Sequence, residues 1–358
     1  MAQDALGNAV SRASAKTLQG IDDFVTGFLG YEKKAANIIA AADDEPDAVL
    51  ANTYAGFAWM FLEAEGAGKA ASAYLKRAQA ASSDANERER MLLGQLEAWI
   101  GDDMPKVQAI GDEIVARYPR DLASVKLHQY FSFNRGDAKN MLRIAQLALP
   151  ASPDNPHIHG MLAFGYEQMH DLETAEREAR LALKLKTKEP WAQHALAHVM
   201  LGTGRVAEGV EFLTEAQATW VDLNSFMYTH NWWHKALFHL SQGDTQAVFD
   251  AYDQHVWGIE PDYSQDQVNA ISLLARMEVA GMDVGARWED VANHMRGRAR
   301  DTIQPFLTLQ YLYGLARAER IEADELMRAV EDKAAASTTF DRVVWREVAL
   351  PAARGVLA

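Results

Sequence analysis

Residues 156–202 read PHIHGMLAFGYEQMHDLETAEREARLALKLKTKEPWAQHALAHVMLG, and this stretch decides the fold. Pro156 and Pro190 stand 34 residues apart, each at the start of a helix-periodic segment. The same step joins Leu162-Ala163 to Leu196-Ala197 and Ala182 to Ala216. That is the period of a helix–turn–helix repeat. Small residues at the repeated positions let the two helices of a unit approach closely. Tyr166 and Ala175 supply the large aromatic and the small residue that such a unit packs together, and Asp171 and Arg205 fall in the turns.

Outward from this core, a third copy follows with a longer connection. Trp232-Trp233-His234-Lys235-Ala236-Leu237 forms its first helix, Gly243-Asp244 its turn, and residues 245–257 its second helix. The most regular repeats span 155–258. Further helix pairs are expected at 47–63 with 68–82, 86–100 with 103–117, 121–134 with 137–149, 265–281 with 285–298, and 302–318 with 322–335. A leading helix near 17–42, within an N-terminal cap of about 1–42, and a trailing helix near 339–355, within a C-terminal cap of about 338–358, cover the faces that terminal repeats expose. The acidic run Asp43-Asp44-Glu45-Pro46-Asp47 reads as a loop that supplies an N-cap. The expectation is an all-α protein, a right-handed α-solenoid of about eight helical hairpins running as one unit through residues 1–358.

Apolar residues make up 49% of the 358, enough for a continuous core. No cysteine is present, which excludes disulfides and thiol catalysis. A net charge of −15 repels phosphate backbones, so no nucleic acid partner is expected. Neither a secretory leader nor a run long enough to span a membrane is visible. These features point to the cytoplasm and away from membranes. They leave the oligomeric state open.

Eight of the 11 histidines lie between His157 and His239. His194 and His198 are four apart, as are His230 and His234, so each pair shares one helix face. Both pairs sit on first helices of neighbouring repeats, and the expectation is that they point into one interior space. Three readings follow. Four imidazoles can ligate a transition metal, although neither run contains a carboxylate. They can instead form a metal-free pocket walled by Trp191, Trp232 and Trp233, with Glu167, Asp262 and Asp266 as partners. Or they satisfy neighbouring polar groups in a core, the reading that fits His157, His170, His239, His255 and His294 best. The basic run Arg296-Gly297-Arg298-Ala299-Arg300 is either a solvated face or an anion contact. Gly66-Ala67-Gly68-Lys69 lacks the rest of a phosphate loop.

The block from His157 to Asp301 carries a family likeness. Its anchors are His159-Gly160, Phe164-Gly165, His194-Ala195-Leu196-Ala197-His198, His230-Asn231-Trp232-Trp233-His234-Lys235, Tyr252-Asp253, Gly285-Ala286-Arg287-Trp288 and Arg300-Asp301. These resemble the tetratricopeptide repeat protein 38 family, with its two histidine runs in adjacent repeats. The resemblance implies the helical-repeat fold and no particular reaction. It also has departures: Thr302 follows Asp301 where that family places a histidine, and Thr308-Leu309-Gln310-Tyr311 replaces an aspartate–alanine–histidine–phenylalanine run.

The leading expectation is a binding or scaffold protein that holds a peptide or small ligand in a concave groove. The groove residues are His159, His194, His198, His230, Asn231, Trp233 and His234. The alternative is an enzyme acting on a small molecule, with His194, His198, His230 or His234 as acid, base or metal ligand and Asp266 or Glu167 orienting it.

Overall fold

The regular hairpin turns each place one residue in the left-handed region and set an N-cap behind it. In the computed structural model, which describes residues 2–338 and 342–358, Asp102 (φ 56°), Gly136 (φ 70°), His170 (φ 60°) and Gly204 (φ 71°) follow one another at the 34-residue step. Gly243 (φ 73°) repeats the geometry in the next hairpin. The residue after each one returns its N–H to the helix just left. Asp103 donates to Ala98 O, Asp137 to Ser132 O, Asp171 to Tyr166 O and Arg205 to Met200 O. These bonds satisfy carbonyls that a helix end leaves open. Asp103, Asp137, Asp171 and Asp244 then accept a backbone N–H in the first turn of the next helix.

The elements follow from these punctuation marks. A two-stranded hairpin, β1 (Ala2–Gln3) and β2 (Ala9–Val10), precedes α1 (Ala15–Gly30) and α2 (Asn37–Asp44). Eight helical hairpins come next, as the sequence predicts: α3 (Val49–Met60) with α4 (Ala67–Ala80), α5 (Glu87–Ile100) with α6 (Met104–Arg117), α7 (Leu122–Asn134) with α8 (Ala138–Ala148), α9 (Pro156–Gln168) with α10 (Leu172–Leu185), α11 (Pro190–Gly202) with α12 (Val206–Ala216), α13 (Ser225–Gln242) with α14 (Thr245–Ala251), α15 (Ser264–Val279) with α16 (Arg287–His294), and α17 (Pro305–Arg317) with α18 (Glu322–Ala336). A π-helical turn over Val343–Ala349 and α19 (Leu350–Leu357) follow. The start of the trailing helix expected from 339 lies outside the described residues. The fold is an all-α solenoid of helical hairpins. No helix among the described residues is long and apolar enough to cross a membrane.

The described residues group into two compact units, 2–61 with 68–227, and 62–67 with 228–358. In the first unit the single leading helix expected over 17–42 is two helices. Tyr31 adopts φ 53° and ends α1. Gly27 permits the sharp return, since a Cβ there would lie 2.7 Å from the Ala35 nitrogen. Beyond the break, Tyr31 O accepts from Asn224 N and Lys33 N donates to Asp222 O, which ties the segment to the α12–α13 connection. The acidic run does not supply a side-chain N-cap. Ala48 holds that position at α3, while Asp43 pairs with Arg77 and Glu45 accepts from Ser14 N.

The first helices of this unit are buried on more than one face. Residues 122–129 of α7 and 158–165 of α9 are buried without a break. One cover is α1, whose last carbonyls, Phe28 O and Leu29 O, accept from Lys126 Nζ of α7. The same Nζ lies 3.2 Å from the Tyr31 ring centroid. A cation at a helix C-terminus complements the dipole there.

In the second unit Ile271, Leu274, Trp288, Met295, Tyr311, Leu315 and Leu326 form the buried centre. The loop 62–67 is held by Ser264 Oγ donating to Leu62 O at 2.8 Å. The anion-contact reading of the 296–300 run fails at Arg298. That side chain is buried and donates to Gln267 Oε1, Asp301 Oδ2 and Asp262 O, so its charge serves the interior.

Candidate functional site

In the first unit Pro190 opens α11 with its fixed φ, and Glu189 caps it by accepting from Ala192 N. Trp191, His194 and His198 follow at i, i+3 and i+7, which makes one stripe. The His194 ring stacks on Trp191 with centroids 4.5 Å apart and planes 16° apart, and Phe164 of α9 lies 5.4 Å away. His194 and His198 face each other, Nε2 to Nε2, at 3.0 Å. Glu167 of α9 reaches His198 Nδ1 at 3.2 Å. Burial pushes the Glu167 carboxyl up, but the hydrogen bond and charge of His198 outweigh it and hold the group below the ordinary carboxylate range. A carboxylate only accepts, so His198 donates to Glu167 from Nδ1 and presents Nε2 to His194.

His159, included among the groove residues by the sequence reading, stands apart from this pair. Its Nε2 lies 2.8 Å from Pro153 O and its Nδ1 2.8 Å from Glu178 Oε2 of α10, so both ring nitrogens serve the scaffold. His157 likewise meets the capping Glu189 at 3.0 Å.

The second unit builds a parallel arrangement on α13. His230 and His234 face each other, Nε2 to Nε2, at 3.2 Å. Here the anchor is an amide. His230 Nδ1 lies 3.0 Å from Asn269 Oδ1 of α15. Asn269 Nδ2 donates to Thr229 Oγ1 at 3.0 Å, and Thr229 Oγ1 donates to Asp266 Oδ1 at 3.2 Å. The chain of donors has one sense. Asp266 can only accept, which orients Thr229, which orients the Asn269 amide, whose Oδ1 accepts from His230 Nδ1–H. Asp266 therefore orients the imidazole through two intermediaries. Trp233 stacks on His230 with planes 5° apart. Asp262 does not join Asp266 on a helix face: it precedes α15, and its exposed carboxylate meets His294 Nδ1 at 3.2 Å.

Asn231 sits between His230 and Trp232 on α13 and is 0% exposed. Among the described residues neither Nδ2 nor Oδ1 has a hydrogen-bond partner, and no other side chain there is doubly orphaned in this way. The Trp233 Nε1 is also buried without a partner.

A second stripe on α13 escaped the sequence reading. Tyr228, Trp232, Lys235 and His239 recur at i, i+4, i+7 and i+11. His255, from the π-helical turn Tyr252–Val256, stacks on Trp232 at 3.7 Å and holds Tyr228 Oη at 2.7 Å through Nδ1. Lys235 Nζ lies 4.9 Å from the Trp232 ring centroid. Burial lowers the pKa of Lys235. Burial, then the Lys235 charge, lowers those of His239 and His255. The aromatic and basic spacing was the available signal, and packing alone also explains such a stripe.

No protein-family model matches the chain. Solved structures do resemble it. The human IFIT1 dimer with PPP-AAAA is 13% identical with a TM-score of 0.50, over 90% of this chain and 73% of that one. The same protein with m7Gppp-AAAA is 14% identical with a TM-score of 0.50, over 90% and 72%. Yeast Tom70 is 11% identical with a TM-score of 0.44, over 94% and 88%. At such identities the likeness speaks to fold alone, and the chain shares the tetratricopeptide-type helical-repeat architecture of IFIT1.

Proposed function

We propose that this is a binding protein of the tetratricopeptide repeat protein 38 kind, which takes a peptide or small ligand against the histidine-bearing first helix α13. Asn231 carries the reading. Burying an amide whose donor and acceptor both stay unpaired costs about 1–3 kcal/mol for each group. An apolar side chain of that size would fill the same space at no such penalty. The amide is therefore better explained by a group that arrives from outside and pairs with it. His230 and His234 add directional nitrogen atoms one turn or less away, and Trp233 adds apolar wall and an indole N–H. On α11, Trp191, His194 and His198 offer the same combination. IFIT1 is bound to PPP-AAAA in its structure, and repeats of this type host unrelated ligands, so the ligand here follows from these side chains.

The test separates stability from function. Asn231→Leu is expected to raise the unfolding midpoint while removing ligand-dependent stabilisation in a thermal-shift screen of small molecules and short peptides. His230→Ala/His234→Ala should lose the same hits. If every compound that stabilises the parent stabilises both variants equally, the α13 site is wrong.

A second reading rests on the imidazole spacing. The Nε2 separations of 3.0 and 3.2 Å suit an N–H···N bond. They also come close to the roughly 3.3 Å between two nitrogen ligands of one tetrahedral ion with bonds of about 2.0 Å. The anchored Nδ1 atoms match the outer-shell support that metal-bound histidines receive. The same histidines could then serve an enzyme as metal ligands or as acid and base, with Glu167 or Asp266 orienting them. Elemental analysis of untagged protein after incubation with zinc or nickel decides this. Near-stoichiometric metal that His230→Ala/His234→Ala loses supports it, and metal content unaffected by that change removes it.

A further inference from the structure

We propose that the helical segment 343–357 docks a second copy of this chain, the two segments lying antiparallel about a twofold axis with the valines of their outer faces between them. This goes beyond the α13 site and does not depend on it.

The argument starts from a helical segment with two apolar sides. Trp345, Ala349 and Ala353 recur every four residues and are buried in the core of the second unit. A helix that packs on one side carries polar residues on the other. Here the other side holds Val343, Val344 and Val348, which are 56%, 41% and 57% exposed. Among the described residues, no other run of six places three large apolar side chains in the open. Valine has a low helix propensity, so local stability does not account for the three. A contiguous exposed apolar face marks an interaction surface.

The charges beside the valines name the partner. Glu347 and Arg354 are seven residues apart, and both are exposed. An antiparallel copy centred on Leu350-Pro351 brings each Glu347 to the other copy's Arg354. The same arrangement brings each Val344 to the other copy's Leu357, itself 38% exposed. The face therefore complements itself in charge and in hydrophobicity, as a twofold interface requires. Within one chain Glu347 lies 3.8 Å from Arg342, and Arg354 lies 3.4 Å from Glu331. Exposed pairs of this kind hold their members weakly, so both charges can exchange partners when a second copy arrives.

An interface of one helical segment from each copy is small, so the dimer forms and dissociates with concentration. Sedimentation velocity of the full chain between about 1 and 200 µM should show a shift from the mass of one chain toward that of two. Val344→Glu/Val348→Glu should weaken association at least about tenfold. Glu347→Arg alone and Arg354→Glu alone should each weaken it at least about threefold, because each sets like charges opposite one another. An equimolar mixture of these two single variants should recover the parental association, since the mixed dimer has opposite charges at both contacts. Circular dichroism checks that each variant folds. If the valine double variant does not fold, the charge variants and their mixture still decide. A chain that stays monomeric throughout overturns the proposal; if that monomer sediments with phosphatidylcholine vesicles, the valines belong to a membrane instead. Self-association that the valine variant leaves unchanged places the dimer elsewhere and overturns it too. So does a mixture that associates no better than its components.

Discussion

A neutral imidazole carries its proton on one nitrogen or the other, and in an i, i+4 pair that choice decides which lone pair the rings share. At His198 the choice is made by the Glu167 carboxylate, and at His230 by the Asn269 carbonyl. The first anchor is charged, so it leaves a pH signature. Glu167 titrates below 4.5 in the folded protein. Its contribution to stability is complete above the unfolded value near 4.5 and is lost as pH falls through the lower folded value. Glu167→Gln keeps an acceptor and removes the charge. We expect it to lower stability by about 1 kcal/mol at pH 7 and to match the parent once pH falls below the folded Glu167 value. Urea midpoints at pH 7, 5, 4 and 3 measure this. A constant deficit at every pH would mean that the Glu167 charge does nothing for His198.

At the scale of elements, the hairpins were legible because their signals are local. Proline at N1, aspartate at N-caps and the 34-residue step place helix boundaries within a few residues. The left-handed turn residues at 102, 136, 170 and 204 extend that step through four hairpins, and two of them are not glycine. Asp102 and His170 carry no glycine signal, so the sequence does not announce their left-handed backbone. Glu167 was legible as a partner because it lies about one repeat from His198. Asn269 was not, because the lengthened sixth hairpin puts it out of step and an amide carries no charge signal. The break after α1 was missed because Gly27 allows an approach between segments that no propensity reports. The turn chemistry makes its own prediction. A non-glycine residue held in the left-handed region costs about 1 kcal/mol. His170→Gly should therefore raise stability by about 0.5–1 kcal/mol, and Gly136→Ala, which introduces the strain, should lower it by about 1 kcal/mol. Chemical denaturation of the two variants checks the pair. The opposite signs would show that the turns do not set these hairpins.

Across the whole molecule, what the sequence withheld are contacts between residues far apart in the chain. The N-terminal hairpin is pinned to the first unit by Arg88. Its Nη2 lies 3.3 Å from Asp4 Oδ2 and its Nη1 2.7 Å from Asp121 Oδ2, with all three side chains nearly or fully buried. Asp121 also caps α7 by accepting from Ser124 N. Such a triad has no period and no spacing rule, and its members are three charges scattered among 85. Its energetics are asymmetric. Replacing a whole buried ion cluster with apolar groups can be neutral, but removing one partner strands the others. Arg88→Met should cost about 3–5 kcal/mol at pH 7. Burial already pushes the Asp4 carboxyl above its ordinary range while Arg88 holds it partly down, so without Arg88 it should rise further. A carboxyl whose folded pKa is raised binds its proton more readily when folded, so lowering the pH through that range favours the native state. The deficit of Arg88→Met should thus shrink already between pH 7 and pH 5, whereas that of Glu167→Gln closes only below about 4.5. Urea denaturation of the Arg88→Met protein at the two pH values measures it. Equal stability to the parent at pH 7 would mean that the pin carries no weight in the fold.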